Sequence, residues 1–124
     1  MHILVVEDDA PLRRALSRIL QAGGIQIITE ALDGQDALDC MEEIEPDLIL
    51  TDFQMPRLDG IALVRALRAR GNAIPVIMLS GQGEQQVIVA AIKAGVSNYL
   101  PKPINPELLI EKIWQALNLN RLSA

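Results

Sequence analysis

The chain has 124 residues, half of them hydrophobic and 22% charged, with a formal net charge of −5. That length is enough for one domain with a core of its own, needing no disulfide or metal staple. An acidic balance excludes the domain itself as a nucleic-acid binder, because phosphates repel it, and the single cysteine, Cys40, excludes an internal disulfide.

Apolar β-rich runs alternate with helix-period stretches along the whole chain. Residues 3–7 read as a strand that follows Met1 at once, leaving no room for a signal peptide. Residues 11–22 read as a helix with Leu12, Ala15, Leu16, Ile19 and Leu20 on one face, stopped by Gly23-Gly24. A second strand covers 25–31, Asp33-Gly34 marks a turn, and 35–44 is a helix with Ala37, Leu38, Met41 and Ile44 inward. Pro46 ends it, and 47–52 is an almost purely apolar strand that closes on a carboxylate.

The second half repeats the rhythm. Residues 60–70 are helix, 75–80 strand, 84–94 helix and 98–100 a short strand. The last helix covers 105–119, with Asn105 as N-cap and Pro106 in its first turn. Five β–α units imply a parallel sheet with helices on both faces, in one domain over 1–124 whose residues 118–124 form a tail or the start of a linker. The apolar runs, such as 3–6 and 48–50, are too short to cross a bilayer. With the lone cysteine, this predicts a cytoplasmic protein without membrane insertion.

Ligands of open parallel sheets bind beyond the carboxyl ends of the strands. Those ends carry Glu7-Asp8-Asp9, Asp52, Ser80-Gly81 and Lys102-Pro103. Carboxylates held together repel unless a cation offsets them, and Mg²⁺ takes carboxylates and phosphate oxygens together. Lys102 is a point charge suited to a phosphoryl group, Ser80 can donate a hydrogen bond to it, and Gly81 leaves the approach open. The set reads as a carboxylate nucleophile, Asp52, that receives a phosphoryl group beside a metal. Asp9, before Ala10-Pro11, reads as a helix cap instead.

Val5-Val6-Glu7-Asp8, Asp52, Ser80 and Lys102-Pro103 together resemble the response-regulator receiver domain, from residue 3 to about 117. The resemblance implies a three-layer (βα)5 flavodoxin-like fold of strand order 2-1-3-4-5. It implies Asp52 as phosphoacceptor, with Ser80 and Lys102 holding the phosphoryl oxygens. It implies Mg²⁺ on Asp8, on Asp52, on the Gln54 carbonyl and, mostly through water, on Glu7. Ser80 and Tyr99 would be switch residues, and Gln54 and Gln82 would flank the water that removes the phosphoryl group. Pro56 and Gly60 match the family's loop after the acceptor. The implied partners are a histidine kinase or histidine phosphotransfer protein, a downstream effector or fused output domain, and a second copy of the domain. Such a chain catalyses only its own phosphorylation and dephosphorylation. Any DNA binding would come from a fused segment.

Other readings fare worse. An aspartyl phosphohydrolase of the Asp-x-Asp type needs an acid two residues after the nucleophile, where Gln54 stands. A flavodoxin-like electron carrier needs a phosphate loop after the first strand, where Glu7-Asp8-Asp9 repel phosphate. A degenerate receiver used as a binding module lacks an acid or the lysine, and none is missing here. Asp36, Asp39, Glu42 and Glu43 around Cys40 predict a raised thiol pKa, so Cys40 reads as packing. Trp114 flanks the apolar stripe of the last helix and also reads as packing. His2, on a strand, is not a phosphorelay histidine.

Overall fold

The computed structural model describes residues 1–81 and 85–123, with side chains described to residue 118. In chain order the elements are β1 (His2–Val6), α1 (Ala10–Ala22), β2 (Ile27–Ala31), α2 (Gly34–Cys40) and β3 (Leu48–Asp52), then α3 (Gly60–Ala69), β4 (Val76–Ser80), α4 (Gln85–Ala94), β5 (Asn98–Pro101) and α5 (Pro106–Ser123). All strand pairs are parallel, in the order β2-β1-β3-β4-β5.

Side chains alternate across a strand, and here the alternation sorts the core into two layers. Leu4, Val6, Ile49, Val76 and Met78 face one side, with Leu63, Val64 and Leu67 of α3 and Ala91 of α4. Ile3, Val5, Leu48, Leu50, Ile77 and Leu79 face the other, with Leu16 and Leu20 of α1 and Leu109, Ile113 and Leu117 of α5. Every residue of β3 and β4 is buried, as central parallel strands covered on both faces must be. Each fully buried Leu, Ile or Val contributes about 1.5–3 kcal/mol of transfer free energy.

Caps start the helices where the sequence predicts. Asp9 accepts from Leu12 N–H at 3.1 Å, and Asn105 accepts from Leu108 N–H at 3.2 Å. Three expectations need correction. Ala15 is exposed, because the buried stripe of α1 runs through Leu16 and Leu20 and leaves its neighbour about 100° away. The second helix closes at Cys40, after which Glu42 and Glu43 donate back three residues, to Asp39 and Cys40, in a tighter turn. Acids at 42, 43 and 45 oppose the negative end of a longer helix, and Met41 and Ile44 still pack on the core. At the other end of the chain α5 runs on to Ser123, with no Gly or Pro after Pro106 to stop it. The expected start of the fourth helix at Glu84, and Gln82, lie outside the described residues.

Candidate functional site

The sheet register builds the site. Val6 stands opposite Thr51, Asp52 opposite Leu79, and Ser80 opposite Pro101. Strands β1, β3, β4 and β5 therefore end level, and the residues at or just past their ends meet: Glu7 and Asp8, Asp52, Ser80, and Lys102. Backbone bonds hold these ends in place. Lys102 N–H donates to Ser80 O at 2.8 Å, Phe53 N–H to Leu79 O at 3.1 Å, and Gly60 N–H to Phe53 O at 2.8 Å. Gly60 is required by close approach, since a Cβ there would lie 2.6 Å from the Asp52 carbonyl oxygen.

Asp52 and Ser80 are buried, 7% and 3% exposed, whereas Asp8 is open to solvent. Glu7, Asp8 and Asp52 each offer a carboxylate oxygen, and these oxygens all lie within 4.8 Å of one another. Lys102 Nζ stands 3.0 Å from Asp52 Oδ1 and 3.9 Å from Glu7 Oε1. Asp52 Oδ1 also accepts from Phe53 N–H at 2.9 Å. Glu7 is the anomaly of the cluster. Its Oε1 is buried with no hydrogen-bond partner among the described residues. Burial, then the Asp52 charge, then the Asp8 carboxyl push its pKa up to about 8, against the smaller opposing effects of Asp9 N–H and Lys102. An all-oxygen donor set with one oxygen left unsatisfied suits a hard divalent cation.

Of the remaining sequence candidates, Gln54 and Asp9 lie beside this cluster, while His2 stands at the opposite end of β1. Gln54 lines, with Asp8, Phe53, Met55, Pro56 and Asp59, a cleft of about 530 Å³. Tyr99 is half-buried on β5 opposite Met78, two residues back from the edge where Pro101 meets Ser80. Asp9 caps α1 and does not join the metal-type cluster. Trp114 packs as expected, its Nε1–H donating to Gly23 O at 3.1 Å. Cys40 has its thiol pKa raised by burial, then by Asp36, Asp39 and Glu43. His2 Nε2 lies 2.7 Å from Thr29 Oγ1.

Two contacts around the site escape sequence reasoning. Arg13 Nη1 donates to the Glu7 carbonyl at 2.9 Å while its Nε meets Glu30 Oε1 at 3.2 Å. Arg57 grips Asp33 through two hydrogen bonds, Nε to Oδ2 at 2.8 Å and Nη2 to Oδ1 at 3.0 Å. The turn signal at Asp33-Gly34 is visible in the sequence, but nothing there pairs it with Arg57, 24 residues on.

Comparison with known proteins agrees with this geometry. The family model described as response regulator receiver domain matches residues 3–114. Chemotaxis protein CheY1 of Helicobacter pylori (strain J99) is 35% identical over 123 residues, covering 97% of this chain and 99% of that protein. A protein-glutamate methylesterase/protein-glutamine glutaminase of Nocardioides sp. is 40% identical over 108 residues, and there this chain spans only 30% of the longer protein. Against response regulator MprA of Mycolicibacterium vanbaalenii the identity is 38% over 113 residues, about half of that protein (48%). The Francisella response regulator 1452 receiver domain superposes with a TM-score of 0.89 at 31% identity, covering 96% of this chain and 98% of that one. With five parallel strands in the order 2-1-3-4-5 and acids, hydroxyl and lysine at their carboxyl ends, the chain belongs to the response regulator receiver family of two-component signalling.

Proposed function

We propose that Asp52 is the phosphoacceptor of this signalling switch and takes its phosphoryl group from the phosphohistidine of a kinase or phosphotransfer protein. One observation carries the assignment: Asp52 is the buried carboxylate shared by the Lys102 ammonium and the Glu7–Asp8 pair. An Asp52 oxygen attacks phosphorus, the phosphorus–nitrogen bond breaks, and its electron pair leaves on the imidazole, which then takes a proton. Lys102 is placed to follow the charge of the transferred group as it arrives on Asp52. Ser80, at the end of the neighbouring strand, offers its hydroxyl to the same oxygens.

Glu7, Asp8, Asp52 and the Gln54 carbonyl would hold Mg²⁺, which when bound supplies positive charge to the phosphoryl oxygens. The unsatisfied Glu7 Oε1 and the all-oxygen donor set support that fit. The chain acts on no substrate but itself, in the cytoplasm. No helix of the described residues is long and apolar enough to cross a membrane. We assign residues 1–124 to one receiver unit.

The test is intact mass after incubation with a small acyl phosphate and Mg²⁺. One phosphoryl group is expected on the parent chain and none on Asp52→Asn. Stable phosphorylation of Asp52→Asn under the same conditions overturns the assignment.

A further inference from the structure

We propose that Arg57 and Asp33 form a clamp that positions the metal-binding loop 53–59, so that Mg²⁺ affinity depends on an ion pair that touches neither metal nor phosphoryl group. The inference rests on the reading of Gln54 as a metal ligand through its carbonyl.

Loop 53–59 joins the acceptor strand to α3. Its ends are pinned by Gly60 N–H on Phe53 O at 2.8 Å. Between them the chain turns sharply, with Leu58 N–H on Pro56 O at 2.8 Å and Arg57 in the left-handed region at φ 67°. That conformation is unfavourable for any side chain with a Cβ, so something outside the loop must hold it. Phe53, Met55 and Leu58 pack on the core, and the β2–α2 connection holds the turn itself. The Arg57 guanidinium reaches Asp33 with two parallel bonds of 2.8 and 3.0 Å, the fork geometry best suited to a carboxylate. One residue further along, Gly34 N–H donates to Leu58 O at 3.1 Å. The fit is close: a Cβ at position 34 would lie 2.4 Å from that oxygen. Asp33 is itself fixed, since it is buried and its Oδ1 accepts from Asp36 N–H at 2.8 Å at the start of α2. The arginine side chain is 60% exposed and the aspartate side chain 8%, so the guanidinium lies over the carboxylate as a lid. The loop bearing Gln54 is thus fastened to a rigid helix start at two adjacent points. Groups that hydrogen-bond a metal ligand directly set affinity by about 10- to 100-fold, and a clamp three residues from the ligand belongs at the low end of that range.

Arg57 is a positioning residue, and its test separates position from charge and from stability. Arg57→Gly keeps the left-handed backbone available and removes the fork. Asp33→Asn keeps the cap on α2 and removes the ion pair. A through-space effect of charge would tighten Mg²⁺ binding in Arg57→Gly and weaken it in Asp33→Asn. The clamp predicts that both weaken it, by about tenfold, and that the double variant loses no more than either single one. Calorimetric Mg²⁺ titration well below the melting temperature reads this. Amide exchange of metal-free protein should quicken at Leu58 and Gly60 in both variants. Unchanged Mg²⁺ affinity in both variants, or opposite shifts, overturns the clamp while leaving the metal site intact. A parent chain that binds no Mg²⁺ overturns the clamp and the metal reading together, and Asp8→Ala is the control that ties the measured affinity to the site.

Discussion

The Lys102 ammonium lies 3.0 Å from Oδ1 of Asp52, although fifty residues separate them and no strand pairing joins β3 to β5. The contact reaches over the end of β4, where Ser80 stands. If Asp52 is the acceptor as proposed, Lys102 would offset the charge that the phosphoryl group brings. Lys102→Met should slow phosphorylation from an acyl phosphate by about 100-fold, as loss of a positioned charge donor does. Arginine, a planar fork, should not restore the rate of a point charge. Time courses of intact mass read both, and a parent-like rate in Lys102→Met refutes the role.

Mg²⁺ should stabilise the folded chain, because the acid cluster exists only when folded. At about 100 times its Kd the gain is about 2.7 kcal/mol. Asp8→Ala should abolish the gain and raise the metal-free melting temperature by removing like-charge repulsion at the cluster. Scanning calorimetry with and without chelator decides it, and a parent melting curve indifferent to millimolar Mg²⁺ argues against the site.

Gln54 faces the cleft beside Asp8, where an amide can orient a water but not deprotonate it. Gln54→Leu should slow loss of the phosphoryl group. The same change at Gln82, outside the described residues, carries the same expectation. The measurement is the decay of the phosphorylated mass after removal of the donor. Unchanged decay in both variants means that neither side chain reaches the water.

Phosphorylation of Asp52, as proposed, would place a charge near −2 at the strand edge where the buried Ser80 stands. On the proposed reading the Ser80 hydroxyl would follow it by one hydrogen bond, and the half-buried Tyr99 ring would turn inward. The expected outcome is a change of shape at the face of α4, β5 and α5 by population shift, not refolding. Ser80→Ala should still accept phosphate but couple it poorly to partner binding. Structures with and without a phosphoryl mimic are the direct comparison, and identical Ser80 and Tyr99 positions in both would exclude this route.

Asp33 titrates below the ordinary carboxylate range, chiefly because Arg57 hydrogen-bonds its charged form. With the folded pKa depressed, the clamp's stabilisation is present above the ordinary aspartate range near pH 4 and fades as pH falls through the lower folded value. Asp33→Asn should therefore lower stability at pH 7 and flatten the acid limb of the stability curve. Chemical denaturation at a series of pH values checks this, and parallel acid limbs for parent and variant would contradict it.

Period and punctuation alone determined much of this protein. Alternating strand and helix patterns, the caps at Asp9 and Asn105 and the residue types ending each strand sufficed for a parallel sheet with an acidic, lysine-bearing edge. These are local properties, set within a few residues of where they are read. The resemblance of Glu7-Asp8, Asp52, Ser80 and Lys102-Pro103 to receiver domains supplied the strand order, which no local pattern contains. Where helices stop was less legible, because α2 ends at Cys40 and α5 runs to Ser123 through the balance of dipole and chain breakers. What only the tertiary structure decided are contacts between distant residues: the orphaned Oε1 of Glu7, Arg13 on the Glu7 carbonyl, and the Arg57 fork on Asp33. A charged residue in a loop looks the same in sequence whether water or a buried carboxylate receives it. Only the close packing of the two loops, with Gly34 against the Leu58 carbonyl, decides which it is.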